Sequence, residues 1–140
     1  MKVFIIIIPA YPEDNIFSRV TEKTTALGPV LVATAANKLP GWRVEVIDEN
    51  NCHGAPRDKD GLIDHAALQK EKQADAVGFY CGLSSTMPRV WALVDFYKKQ
   101  GALTIAGGWH VFYAPEESLK KGVDVVVRGD GEVAIGEILA

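Results

Sequence analysis

Two glycine-rich segments follow apolar runs in this chain, Leu103 to His110 and Asp124 to Glu132. Each strips away side chains where a buried strand breaks into a loop. In an open parallel sheet, ligands settle in the crevice beyond the carboxyl ends of the strands, so Gly107, Gly108, Gly129 and Gly131 let the backbone come against a broad flat ligand. A single Gly-Gly is well explained by a tight turn; two such loops at neighbouring strand ends favour a binding edge. Ser84, Ser85 and Thr86 stand at a strand-to-helix turn, where hydroxyls and free helical N–H groups can meet ligand oxygens. Helix capping accounts for one of these three hydroxyls. His110 is placed to donate to a ligand amide oxygen, as a contact rather than a metal ligand, although a loop histidine is commonly just solvated. Glu132 suits equally a cap on the last helix and a ligand contact. Trp109, Phe112 and Tyr113 form an aromatic cluster whose default role is packing and which could also wall a flat ligand.

Other chemistries lack their residues. Cys52 beside His53 falls short of the three or four ligands of a zinc site, and His53 is only a weak candidate for a metal. His65 falls within a helix and is expected at its surface. Ser84 and Ser85 have no Gly-x-Ser-x-Gly elbow around them, and no Gly-x-Gly-x-x-Gly follows the first strand. A flavin phosphate loop would be rich in Ser and Thr, and Pro9 to Asn15 is poor in both. A receiver domain would supply acidic residues after the first strand, and Glu13 and Asp14 are there, but also a lysine late in the sheet, which is missing. A flavodoxin-like or receiver-like signalling domain is the alternative class, since a fold does not fix a function.

The elements that would position these residues alternate. Val3 to Ile8 is a β-branched and aromatic run ended by Pro9, as expected of a strand covered on both faces. A stretch without clean period to about Thr25 precedes a helix from Leu27 to Leu39, stopped by Pro40-Gly41. Strands then fall at Arg43–Ile47, Ala74–Tyr80, Leu103–Ala106 and Asp124–Val127. Between them lie helices capped by Asp64 and by Ser85 or Thr86, a short one over Pro115–Lys121, and a last one from about Glu132. Five βα units imply a flavodoxin-like doubly wound, five-stranded parallel sheet with helices on both faces.

At 140 residues, 48% of them apolar, the chain reads as one domain with a conventional core. The net charge of −3 carries no basic stripe, which excludes a nucleic-acid footprint and a membrane-surface patch. Two distant cysteines without a CxxC spacing or signal peptide fit a reducing cytoplasm. The final helix runs out at Ala140 without a cap, as though the sequence continues.

Taken together, Gly82-Leu83-Ser84-Ser85-Thr86, Gly107-Gly108-Trp109-His110, Pro115-Glu116-Glu117 and Gly129-Asp130-Gly131-Glu132 resemble a cobalamin-binding domain. More narrowly, they resemble the one that precedes the catalytic barrel in cobalamin-dependent radical S-adenosylmethionine enzymes. Asp130 stands where many relatives carry Glu. The Asp-x-His-x-x-Gly that supplies an axial histidine in methionine-synthase-like domains is missing from Pro9 to Asn15. The resemblance therefore implies a base-off cofactor without a histidine ligand, with Tyr11 or a neighbour facing the lower side of the corrin. It places Ser84, Ser85 and Thr86 on the nucleotide tail. It also implies methyl transfer or related radical chemistry in a parent protein whose 4Fe-4S cluster and S-adenosylmethionine lie in a domain downstream of residue 140. Cys52 and Cys81 cannot supply a Cys-x-x-x-Cys-x-x-Cys cluster run, so residues 1–140 should bind and not catalyse. A bulky residue at Gly108 is expected to block the corrin and leave the fold intact.

Overall fold

The computed structural model describes residues 1–12, 14, 16–21 and 23–140, without the side chains of Phe17 and Thr21. Glu13 and Asn15 of the loop after the first strand lie outside the described residues. In chain order the elements are β1 (Lys2–Ile8), α1 (Ile16–Thr21), α2 (Leu27–Ala36), β2 (Trp42–Asp48), α3 (His65–Glu71) and β3 (Ala76–Tyr80). A 3-10 turn (Ser84–Thr86) leads into α4 (Met87–Lys99), then β4 (Leu103–Gly107), α5 (Trp109–Tyr113), α6 (Pro115–Lys120), β5 (Val125–Val127) and α7 (Gly131–Ile138).

All four strand pairings are parallel and the order is β2-β1-β3-β4-β5. This is the flavodoxin-like arrangement, whose switch point falls between β1 and β3. Strand geometry sends alternate side chains to opposite faces, and the core divides accordingly. Val3, Ile5, Ile7, Val77 and Phe79 pack with Val90, Leu93, Val94 and Tyr97 of α4. Phe4, Ile6, Ala76 and Ile105 pack with Ala36 of α2 and with Ile135 and Leu139 at α7. Trp42 Nε1 donates to the Leu139 carbonyl at 3.0 Å, pinning the end of α7 across to β2.

Two short helices escape the sequence reading. In α1 the apolar residues Ile16 and Val20 are exposed, so no buried apolar stripe shows among its described side chains. The five-residue α5 occupies what reads as a loop. The helix expected to reach Leu39 closes at Ala36. Asp64 caps α3 as expected, accepting from the Ala67 N–H at 3.0 Å. Thr86 occupies the N-cap position of α4 without capping it: its hydroxyl donates back to the Leu83 carbonyl at 2.7 Å. No helix among the described residues is long and apolar enough to cross a membrane.

Candidate functional site

The ends of β4 and β5 and the starts of α2 and α7 enclose a cleft of about 220 Å³ beside the switch point. Its floor is the α2/α7 face of the sheet, with Phe4, Ile6, Ile105 and Val127; its walls are Pro29 and Val32 of α2 and Ile135 of α7. Its rim is glycine backbone from Gly107, Gly108, Gly129 and Gly131, with Glu132 beside it. Sites that enclose a whole drug-sized ligand run to roughly 300–1,000 Å³, so this cleft has room for a part of such a ligand rather than the whole.

The glycines keep the cleft open for different reasons. A Cβ on Gly107 would stand 3.8 Å from the Val127 Cβ, ordinary contact on the cleft face. Gly108, at φ +117°, packs on backbone: a Cβ there would lie 2.7 Å from the Cys81 carbonyl oxygen. The fold itself therefore requires glycine at 108, which corrects the expectation that a bulky residue there leaves the fold intact. On Gly131 a Cβ would meet Val32 Cγ2 at 2.9 Å, so α7 reaches α2 only without a side chain. Gly78 does the same in mid-strand, where a Cβ would press on the Phe4 ring at 3.1 Å.

Of the expected binding residues, Gly107, Gly108, Gly129, Gly131 and Glu132 line the cleft, while Tyr11, Ser84, Ser85, Thr86 and His110 do not. Glu132 makes no cap: the N-cap of α7 is Asp130, without a side-chain hydrogen bond. Thr86 is buried, its hydroxyl committed to Leu83. Ser84 and Ser85 are exposed on the 3-10 turn beside the carboxyl ends of β3 and β4. Ser84 Oγ stands 2.8 Å from His110 Nδ1, and His110 Nε2 stands 2.8 Å from Glu117 Oε2. The His110 N–H donates to the Cys81 carbonyl at 3.0 Å. The composition Ser-His-Glu is that of a hydrolytic triad, but Ser84 lines neither described cavity that could seat an acyl group. Trp109 and Tyr113 stack at 6.1 Å and are 65% and 76% exposed, so this cluster is a surface platform.

After β1, two side chains hold the chain by its backbone through three hydrogen bonds. Glu49 accepts from the Ala10 N–H at 3.1 Å, Asn50 Oδ1 accepts from the Tyr11 N–H at 3.0 Å, and Asn50 Nδ2 donates to the Pro9 carbonyl. Asp48 Oδ1 in turn accepts from Asn50. Burial, with Tyr80 and Asp48 close by, raises the Tyr11 hydroxyl above its ordinary pKa, so it stays a neutral phenol.

Behind that loop lies a buried network that the sequence does not announce. Glu49 accepts from His65 Nε2 at 3.1 Å and from Arg89 Nη2 at 2.6 Å, and the Tyr97 hydroxyl meets His65 Nδ1 at 2.7 Å. Burial alone would raise the Glu49 carboxyl; the bonds from His65 and Arg89 and the charge of Arg89 overrule it and hold the pKa at about 2. His65 is thus an interior residue, not the surface residue expected, because Tyr97 and Glu49 satisfy both of its nitrogens. Neither Glu49 nor Arg89 belongs to a recognisable motif; their pairing is visible only in three dimensions.

The B12 binding domain family model matches residues 16–139. The chain belongs to the B12-binding domain family. A search among curated proteins found none that matches. For a B12-binding domain the cleft makes physical sense, because cobalamin carries a flat base on a nucleotide arm beside a much wider ring. Side-chain-free backbone at Gly107 and close approach at Gly78 and Gly131 form a cradle that any Cβ would narrow. Among the described residues no group of three or more His, Cys, Asp or Glu could hold a metal ion by itself.

Proposed function

We propose that this B12-binding domain holds cobalamin base-off, without a histidine ligand, for a radical S-adenosylmethionine domain that follows residue 140 in the parent protein. The parent reaction in this reading is methyl transfer or related radical chemistry, run in a reducing cytoplasm. The observation that carries it is the narrow, glycine-rimmed cleft beside the switch point. In this reading the sheet floor and the α2 and α7 walls would hold the cofactor's base.

When bound, the cofactor supplies a cobalt centre that can carry a methyl group or take part in radical chemistry. The chain's own residues would seat and shape it. Phe4, Ile6, Ile105 and Val127 offer the base an apolar floor, and Gly107 and Gly129 let the arm enter. The clamped segment Pro9 to Tyr11, which follows the carboxyl end of β1, carries no imidazole, and the neutral Tyr11 phenol is a poor ligand for a cation. Asp14 in the same loop is exposed and paired with Arg19 at 3.2 Å. With two cysteines in the chain, the cluster and S-adenosylmethionine are assigned to the second domain.

The test is the visible spectrum of the chain titrated with hydroxocobalamin. A saturable base-off spectrum that is unchanged by His53→Ala and His110→Ala is expected. A spectrum of imidazole-ligated cobalt that disappears in either variant would overturn the histidine-free reading.

A further inference from the structure

Building on that reading, we infer that Ser84 is held as a hydrogen-bond acceptor that selects carboxamide N–H groups on the corrin rim, with His110 and Glu117 as its positioning residues. The polarity follows atom by atom. An ionised Glu117 carboxylate only accepts, so the His110 Nε2 at 2.8 Å carries a proton. In the neutral ring Nδ1 is then a lone pair, and Ser84, 2.8 Å away, gives it its only proton. Both lone pairs of the exposed Ser84 oxygen are left for an incoming ligand.

Three elements fix this relay at the cofactor's edge. Ser84 belongs to the turn after β3; His110 lies in α5, its backbone bonded to Cys81; Glu117 lies in the first turn of α6. Gly108, which rims the cleft, rests on the same Cys81 backbone. Both His110 nitrogens are engaged inside the protein, so donation from this ring to a cofactor amide oxygen gives way to acceptance by Ser84. Cobalamin's rim bears carboxamides, whose N–H groups complement an acceptor. A carboxylate in the same place has no proton to offer and sets one acceptor against another.

The experiment titrates the chain with hydroxocobalamin and with the isomeric monocarboxylic acids made by hydrolysing one propionamide. The wild-type chain is expected to discriminate against at least one acid. Ser84→Ala is expected to weaken hydroxocobalamin binding about three- to tenfold, the worth of one hydrogen bond, and to lose that discrimination. Glu117→Ala, which removes the acceptor that fixes the His110 tautomer, should reproduce the loss, and the double variant should be no weaker than Ser84→Ala alone. Nitrogen-15 NMR of the ligand-free chain should find the neutral His110 proton on Nε2. A proton on Nδ1 in the wild-type chain overturns the inference. So does hydroxocobalamin binding that Ser84→Ala leaves unchanged while Gly107→Val abolishes it, a result that leaves the cleft reading standing. No saturable binding by the wild-type chain overturns both.

Discussion

Gly107 and Gly108 adjoin in sequence yet lack side chains for separate reasons, and substitution tells them apart. At Gly107 the added atoms would enter the cleft with no more than ordinary contact, the nearest backbone atom being the Val127 carbonyl oxygen at 3.9 Å, so Gly107→Val should fold normally and lose cobalamin affinity by more than about tenfold, read by titration beside a urea melt. At Gly108 the positive φ and the Cys81 carbonyl make even alanine strained. Gly108→Ala should cost about 1–3 kcal/mol, and a urea midpoint equal to wild type would refute that. Glu49 is a second residue whose role is testable by pH. Its folded pKa of about 2 lies below the ordinary 4.5. The stability it lends is therefore fully present above about pH 4.5 and drains away as pH falls toward 2. Removing it strands Arg89 and His65, so Glu49→Ala should lose about 3–5 kcal/mol at neutral pH and show a flatter acid limb in its stability profile. Cys81, pushed up to about 12 by burial, should resist alkylation in the folded protein while the half-buried Cys52 reacts.

Among elements, the segment after β1 shows how a neighbouring strand supplies order. Its backbone is held from the end of β2 by Glu49 and Asn50, not by bonds of its own. Asn50→Ala should cost about 1 kcal/mol and speed hydrogen exchange at the Tyr11 amide, leaving the β1 core amides protected. Equal protection in wild type and variant would show that the clamp is idle. The same segment marks where sequence reading reaches its limit. Continuous apolar runs expose β1, β3 and β4, and Asp64 exposes α3, because burial on both faces and local capping leave marks in adjacent residues. The clamp joins residues some forty positions apart and leaves none. For α5 and α1, five and six residues are too few to establish a period.

At the scale of the molecule, the parallel sheet was legible because alternating β and α segments leave few ways to pack. The cleft was legible only in part. Its glycine rim can be read from strand ends, and Gly78 in a buried strand is itself a signal of close approach. The floor and walls, Phe4, Ile6, Pro29 and Val32, read in sequence as ordinary core and helix, because only the meeting of α2 with α7 turns them into a surface. Hydroxyls near the site mislead for a related reason: Thr86 looks available in sequence and is spent on its own turn. The measurement that bears most directly on the account is calorimetric titration of the wild-type and Gly107→Val chains with hydroxocobalamin. The account predicts saturable one-to-one binding by the first and binding more than about tenfold weaker by an equally folded second. Equal binding by both would contradict a cofactor arm seated in the cleft.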